Sequence, residues 1–233
     1  MLLLQPAESK YPMADGYMRM FRIYFFPLIL FIILASSRNL FGITADELAL
    51  QVEKKYRLLS DLSMNFTKVT SSEIFETPSK VQGKMILKNP DKFKIETKEE
   101  TITCDGKFIW TYNVGNQQVV KNLVDKSEDL FKPNQVLSDF RSDYTPSLVG
   151  EEKVNETKCF KLLLTSKKED VFIKKMTVWV DQQNLLARRL EYRDSQDNDI
   201  IMDFRNIKTN RKIKDSEFVF QTPPGVEELD LSK

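Results

Sequence analysis

From Thr44 onward the spacing of apolar residues changes period, and each change marks an element. Thr44 and Glu47 stand in the T-x-x-E arrangement of a capping box, ahead of Leu48, Val52, Tyr56 and Leu59 at helical spacing. This predicts an amphipathic helix that ends near Ser60-Asp61. Beyond it the period falls to two. Met64 and Phe66, then Val81, Gly83, Met85 and Leu87, then Phe93 and Ile95, then Ile102 and Cys104 are separated by polar residues, as in strands with one buried face. Asp105-Gly106 signals a tight hairpin, and Asn113 to Asn116 supplies the next reversal. Between them Phe108, Trp110 and Tyr112 occupy alternate positions, which puts three aromatic rings on one face of one strand.

Alternation stops over Leu123 to Val149. Leu130, Phe131, Val136, Leu137 and Phe140, with Pro133 and Pro146 among acidic and small residues, read as one or two short helices inserted between strands. Strands resume at Phe160-Leu162-Leu164, Ile173 to Val180, Leu186 to Tyr192 and Ile200 to Ile207. The chain closes with Phe218-Val219-Phe220 and a turn at Pro223-Pro224-Gly225-Val226. With roughly ten strands, a leading helix and a helical insertion, residues 46–233 read as a single mainly β domain without internal repeat or linker.

Residues 1–45 read as an address. Arg19 and Arg22 precede the apolar run Ile23 to Ala35, which is followed by small residues and is shorter than the roughly 17–25 residues a spanning helix needs. A secretory signal peptide is the expectation, with an uncleaved anchor as the alternative. Cleavage after Ala35-Ser36-Ser37 and after Ile43-Thr44-Ala45 both satisfy the small-residue requirement. Residues 1–17 look like an upstream extension, because Met18 or Met20 would open an ordinary signal sequence. No cysteine lies near either cleavage point, so no lipid anchor is expected there. An extracytoplasmic destination permits a disulfide, for which Cys104 and Cys159 are the sole candidates; the alternative is two small buried hydrophobes.

Composition narrows the chemistry. The chain has no histidine, two cysteines and seven glycines. Ser-His-Asp and Cys-His catalysis, His-ligated metals and four-thiolate sites are therefore excluded, and neither a dinucleotide fingerprint nor a phosphate loop occurs. Lys and Arg total 35 against 34 Asp and Glu, a balance that argues against nucleic acid as a partner. A carboxylate hydrolase would need two acids facing each other across a cleft, whereas Asp194, Asp197 and Asp199 fall in one turn-like run. A binding or carrier protein remains, with no enzyme activity, metal or cofactor expected.

Six segments in order, SDLSMNFTKV, GKMILKNPDKFKIE, TCDGKFIWTYN, QQVVKNL, FKLLLTSK and FVFQTPPGVEELDL, resemble the LolA family of periplasmic lipoprotein carriers, over about Asp46 to Leu231. The resemblance implies an unclosed, strongly curved antiparallel half-barrel, covered on its concave face by the N-terminal helix and a short helical lid. It also implies a function: sheltering the acyl chains of lipoproteins on their way from the inner to the outer membrane. The implied partners are acylated lipoproteins, an inner-membrane ABC-type transporter that loads the carrier and an outer-membrane receptor that unloads it, with a monomeric carrier in the periplasm. A lipid-sensing or protein-binding module on the same half-barrel, without transfer, is the rival reading.

On this resemblance Met64, Phe66, Met85, Leu87, Phe93, Ile95, Trp110, Tyr112, Phe160 and Leu162 are the candidates for acyl-chain contact, and Leu130, Phe131, Val136 and Leu137 form the lid face. The bland alternative is that all are ordinary core. The family's lid is held by an Arg immediately before the Pro of a GxLxxKRP segment. Here the segment reads GKMILKNP, so Lys88 matches the family Lys, but Asn89 replaces the Arg. An amide donates two hydrogen bonds without charge, which leaves Lys88 or Asn89 as a substitute lock, or as ordinary turn residues before Pro90.

Overall fold

Helix α1, Ala45–Leu58, begins where its cap dictates. In the computed structural model, which describes residues 42–72, 77–127, 133, 137, 140–169 and 171–233, the Glu47 N–H donates to Thr44 Oγ1 at 3.2 Å and the Thr44 N–H to Glu47 Oε2 at 3.0 Å. The reciprocal pair satisfies donors that the first helical turn leaves open. Asp46 and Glu47 in the first turn and Lys55 and Arg57 in the last oppose the helix dipole. Leu48, Ala49, Val52, Glu53 and Tyr56 face inward.

Twelve strands follow among the described residues: β1 (Asp61–Ser71), β2 (Ser79–Lys88), β3 (Lys92–Thr97), β4 (Glu100–Cys104), β5 (Phe108–Asn113), β6 (Gln118–Leu123), β7 (Tyr144–Val154), β8 (Thr157–Ser166), β9 (Lys175–Asp181), β10 (Ala187–Arg193), β11 (Asp199–Thr209) and β12 (Glu227–Asp230). They form one unclosed sheet in the order β12-β6-β5-β4-β3-β2-β1-β11-β10-β9-β8-β7. Two meanders, β1 to β6 and β7 to β11, are therefore joined along the β1–β11 seam. The Asp105 turn behaves as its sequence requires: Asp105 Oδ1 accepts the N–H groups of Lys107 and Phe108, both at 2.8 Å, and Gly106 takes a positive φ of 101°.

Three details differ from the sequence reading. Strand β7 begins at Tyr144, inside the stretch assigned to helical insertion. Its Pro146, its bulge between Leu148 and Gly150, and its Glu151-Glu152-Lys153 run hide the strand signal and blunt what is an edge of the sheet. Phe218, at the head of the Phe218-Val219-Phe220 run, closes a short 3₁₀ turn (Asp215–Phe218) that the reading did not include. The last strand is β12, which pairs parallel with β6, whereas every other pairing is antiparallel. Four residues of Glu- and Asp-rich sequence carry too little alternation to announce it.

The sheet curls around α1. Tyr56 and Leu137 border one gap with Leu62 and Leu87, from β1 and β2, and a second with Leu162, Leu164, Val178 and Val180, from β8 and β9. Five strand spacings separate β2 from β8, or roughly 24 Å if the sheet were flat. One tyrosine can border both groups only because the sheet wraps its apolar face around the helix. Residues Thr44–Lys233 make up this unit.

Candidate functional site

The face that α1 covers is built by register. Directly opposed residues share a face, so the row Met64, Met85, Ile95, Ile102 and the row Leu62, Leu87, Phe93, Cys104 lie on the inner surface. Across the seam Phe66 opposes Phe204, and the row Met202, Leu190, Val178, Leu162 continues the same surface, with Phe160 beside Val180. Phe66 crosses β2 at Gly83, where an added Cβ would come within 2.5 Å of its ring. Glycine there is what lets the ring lie down.

Eight of the ten candidate acyl-contact residues thus share one surface: Met64, Phe66, Met85, Leu87, Phe93, Ile95, Phe160 and Leu162. All are buried except Phe160, which is half-buried. Trp110 and Tyr112 are on the opposite side. They oppose Thr103 and Thr101, while their neighbour Ile109 opposes Cys104 on the inner face. Phe220, from the segment between β11 and β12, stacks on Trp110 with ring centroids 6.1 Å apart and lies 6.5 Å from Tyr112. The aromatic strip is a seat for the C-terminal segment.

Sequence reasoning missed the second half of the inner surface, notably Leu164, Met176, Val178, Leu190, Met202 and Phe204, all buried. Each lies in a segment read as a strand, and their alternation with polar residues was the available signal. The seam that carries them onto the same surface as Met85 has no local signature.

The cover consists of α1 with Leu137 and Phe140, both buried beside it. Of the lid candidates Leu137 packs against α1 and the inner surface; Leu130, Phe131 and Val136 lie outside the described residues. The space left between Val52, Tyr56, Leu137, Phe140 and strands β8 to β10 is about 10 Å³. That is room for about one water, whereas ligand pockets run to about 300–1,000 Å³. Admitting a ligand requires the cover to move.

Polar contacts fasten the cover at few points. The Asn89 side-chain amide donates to the Tyr56 carbonyl at 2.8 Å, which also accepts the Leu59 N–H at 3.2 Å, and to the Leu59 carbonyl at 2.6 Å, so that it caps the helix end. Lys88 does not take part; its Nζ donates to the Ile213 carbonyl at 2.9 Å and pairs with Asp215 at 3.1 Å on the outer face. The Tyr56 hydroxyl accepts the Ala187 N–H at 3.0 Å. Burial pushes the Tyr56 phenol up to about 12, against the smaller opposing pull of the Ala187 N–H, so the group stays protonated. Glu53, on the buried side of α1, accepts the Arg141 N–H at 2.7 Å and lies 3.7 Å from its guanidinium.

Cys104 and Cys159 are both reduced and buried. Cys104 is on the inner face of β4, while Cys159 belongs to an outer cluster with Val154 and Trp179 on β8, seven strands away. The disulfide is therefore ruled out and the two-hydrophobe alternative holds. Among the described residues no group of three or more His, Cys, Asp or Glu side chains is placed to hold a metal ion.

A family model described as outer membrane lipoprotein carrier protein LolA matches residues 57–221. The outer-membrane lipoprotein carrier protein of Legionella pneumophila (strain Corby) is 28% identical over 207 residues, covering 86% of this chain and 96% of that protein. An uncharacterized protein of Methanocaldococcus jannaschii is 26% identical over 184 residues, or 78% of this chain; the chain spans about half, 52%, of that relative's length. An uncharacterized conserved protein from Thermus thermophilus has the same fold, with a TM-score of 0.55 at 13% identity, over 80% of this chain and 98% of that one. The matched segment takes in the end of α1, the sheet through β11 and the Phe220 segment, and the chain belongs to the LolA family of outer membrane lipoprotein carrier proteins.

Proposed function

We propose that this protein is a lipoprotein carrier whose inner sheet face takes up acyl chains when α1 and the Leu137 segment swing aside. The observation that carries the reading is the contrast between the two halves of the site. Met64, Phe66, Met85, Leu87, Phe93, Ile95, Phe160 and Leu162 give a broad, adaptable apolar surface, and thioether side chains tolerate chains of varied length. The cover over it is held by aliphatic packing and a few hydrogen bonds, those of Asn89, Glu53 and Tyr56. Each buried methylene of an incoming chain contributes about 0.8 kcal/mol, so a few methylenes offset each hydrogen bond that opens.

The leader reading of residues 1–45 places the carrier in the periplasm. There it receives acylated lipoproteins from an ABC-type inner-membrane transporter, which supplies the energy of extraction, and yields them to an outer-membrane receptor. The fold of Thr44–Lys233 needs no second copy for this, and a monomer suffices. A test mixes the chain from about residue 38 onward with one lipoprotein in matched acylated and non-acylated forms, then adds fresh liposomes. Acyl-dependent capture followed by release is the expected result. Capture without release would make the protein a sensor, and absence of acyl dependence would make the inner surface ordinary core.

A further inference from the structure

The outer face of the sheet is rich in cations, and more than half of them are paired. Lys88 and Lys92 pair with Asp215, Lys94 with Glu96, Arg189 with Asp203 and Arg193 with Asp199. Five exposed cations of this face, Lys80, Lys84, Lys175, Arg205 and Lys208, have no carboxylate ion pair among the described residues, and of these Lys84, Arg205 and Lys208 cluster. They are neighbours. Asn65 opposes both Lys84 on β2 and Arg205 on β11, and Lys208 opposes Ser63 one step along the seam.

The seam also carries a bulge. The β1–β11 register slips between Ser63 and Asn65, and Asn206 adopts a left-handed conformation with φ of 52°. Two adjoining hollows of about 480 and 320 Å³ result, sharing Asn65, Lys84 and Asn206. Their polar lining consists of the three cations with amide and hydroxyl groups, Gln82, Ser63 and Thr67 among them, and contains no carboxylate. Glu96, directly opposite Lys84 on β3, is engaged by Lys94, and Asp203, two residues from Arg205, by Arg189, so the three cations keep an excess of positive charge that a bound anion relieves. Because β1 is central and paired on both sides, no peptide strand can add here by backbone hydrogen bonding, so a ligand must be read by side chains. Arg205 is anchored at one point, its Nη2 donating to Asn155 Oδ1 at 2.8 Å, and its other N–H groups have no carboxylate partner.

We propose that this hollow binds a phosphate mono- or diester, with Arg205 supplying directed N–H donors, Lys84 and Lys208 supplying charge, and Asn65 and Asn206 supplying neutral donors to the remaining oxygens. The cations project from the face opposite the proposed acyl surface, while Met64 and Phe66 of that surface also border the hollows. Two sources present this chemistry, a soluble phosphate ester and a phospholipid headgroup.

The test titrates the purified protein with glycerol 3-phosphate by calorimetry, and measures its co-sedimentation with phosphatidylglycerol and with phosphatidylcholine vesicles. The triple variant Lys84→Gln/Arg205→Gln/Lys208→Gln is compared with Lys175→Gln, an exposed lysine outside the hollow. Circular dichroism and thermal melting confirm that each variant folds. Saturable binding that weakens at least tenfold in the triple variant and is unchanged in Lys175→Gln supports the site. Glycerol 3-phosphate binding identifies a soluble ester, and vesicle binding alone identifies a headgroup. Equal binding by the triple variant, or none by the unaltered protein in any arm, overturns it.

Discussion

Asn89 grips the C-terminal end of α1 through the Tyr56 carbonyl, 2.8 Å from its side-chain nitrogen, and the same amide reaches the Leu59 carbonyl. The residue that departs from the family pattern therefore ties the end of α1 to the β2–β3 turn with neutral donors. Replacing it by alanine removes both bonds and is expected to cost about 1–3 kcal/mol of stability and to speed cargo exchange. Asn89→Arg restores charge-assisted donors and is expected to slow exchange. Urea denaturation together with the rate of lipoprotein transfer to liposomes measures both; an alanine variant that exchanges at the original rate would show that the cover is held elsewhere.

The two faces of the sheet make opposite demands on a buried charge. Met85→Glu sets an unpaired carboxylate in the middle of the inner surface, and is expected to destabilise the fold by about 3 kcal/mol or more and to abolish acyl-dependent capture. Trp110→Glu removes a ring stack with Phe220 worth about 0.5–1.5 kcal/mol and leaves capture intact. A pull-down with both variants decides the point; loss of capture by the Trp110 variant alone would place acyl chains on the outer face.

Acid should loosen the start of the C-terminal segment. Burial pushes the Asp61 carboxyl up, but the Arg211 N–H, the Ser60 hydroxyl and the N–H groups of Ile213 and Lys212 together outweigh it and hold it below the usual carboxylate range. A group whose folded value is depressed adds stability above its unfolded value, about 3.9, and that contribution fades as the pH falls through the lower folded value. Asp61→Asn is expected to be less stable at neutral pH and to lose less on acidification below about pH 4. Denaturation midpoints measured across that range would refute this if the two proteins fell in parallel.

The cysteines should be silent. Both thiols are fully buried on different faces, and burial, helped by the Asp181 charge, raises that of Cys159. Thiol reagents are expected to find neither group in the folded protein and both after unfolding, and reductant to leave the melting temperature unchanged. A shift in that temperature on reduction would require a pairing that the fold forbids.

Local grammar made most of the elements legible. The Thr44–Glu47 box, the period-two runs and the Asp105-Gly106 turn each determine structure within a few residues, and each is present as read. Even the face of Trp110 was available in principle: any connection of even length after Cys104, here the four residues 105–108, pairs it with an odd-numbered residue, Ile109, and so sends the even-numbered Trp110 to the other side. The three rings are the most apolar alternate set, although what packs on Trp110 and Tyr112 is Phe220, far along the chain. The partner of Asn89 was likewise out of reach, since only the tertiary fold brings Pro90's neighbour to the end of a helix thirty residues earlier. Strand β7 was obscured by the proline, bulge and charges that blunt it as an edge.

The seam between β1 and β11 also sets an order of events during synthesis. Each meander can assemble from neighbouring hairpins as it leaves the ribosome, but Phe66 meets Phe204 only when nearly the whole domain has been made. Helix α1 emerges first, yet half of the surface it must cover, around Val178 and Ala187, is translated late. Until then the greasy side of the early strands faces water, and nascent chains stopped short of β11 should be sticky and protease-sensitive.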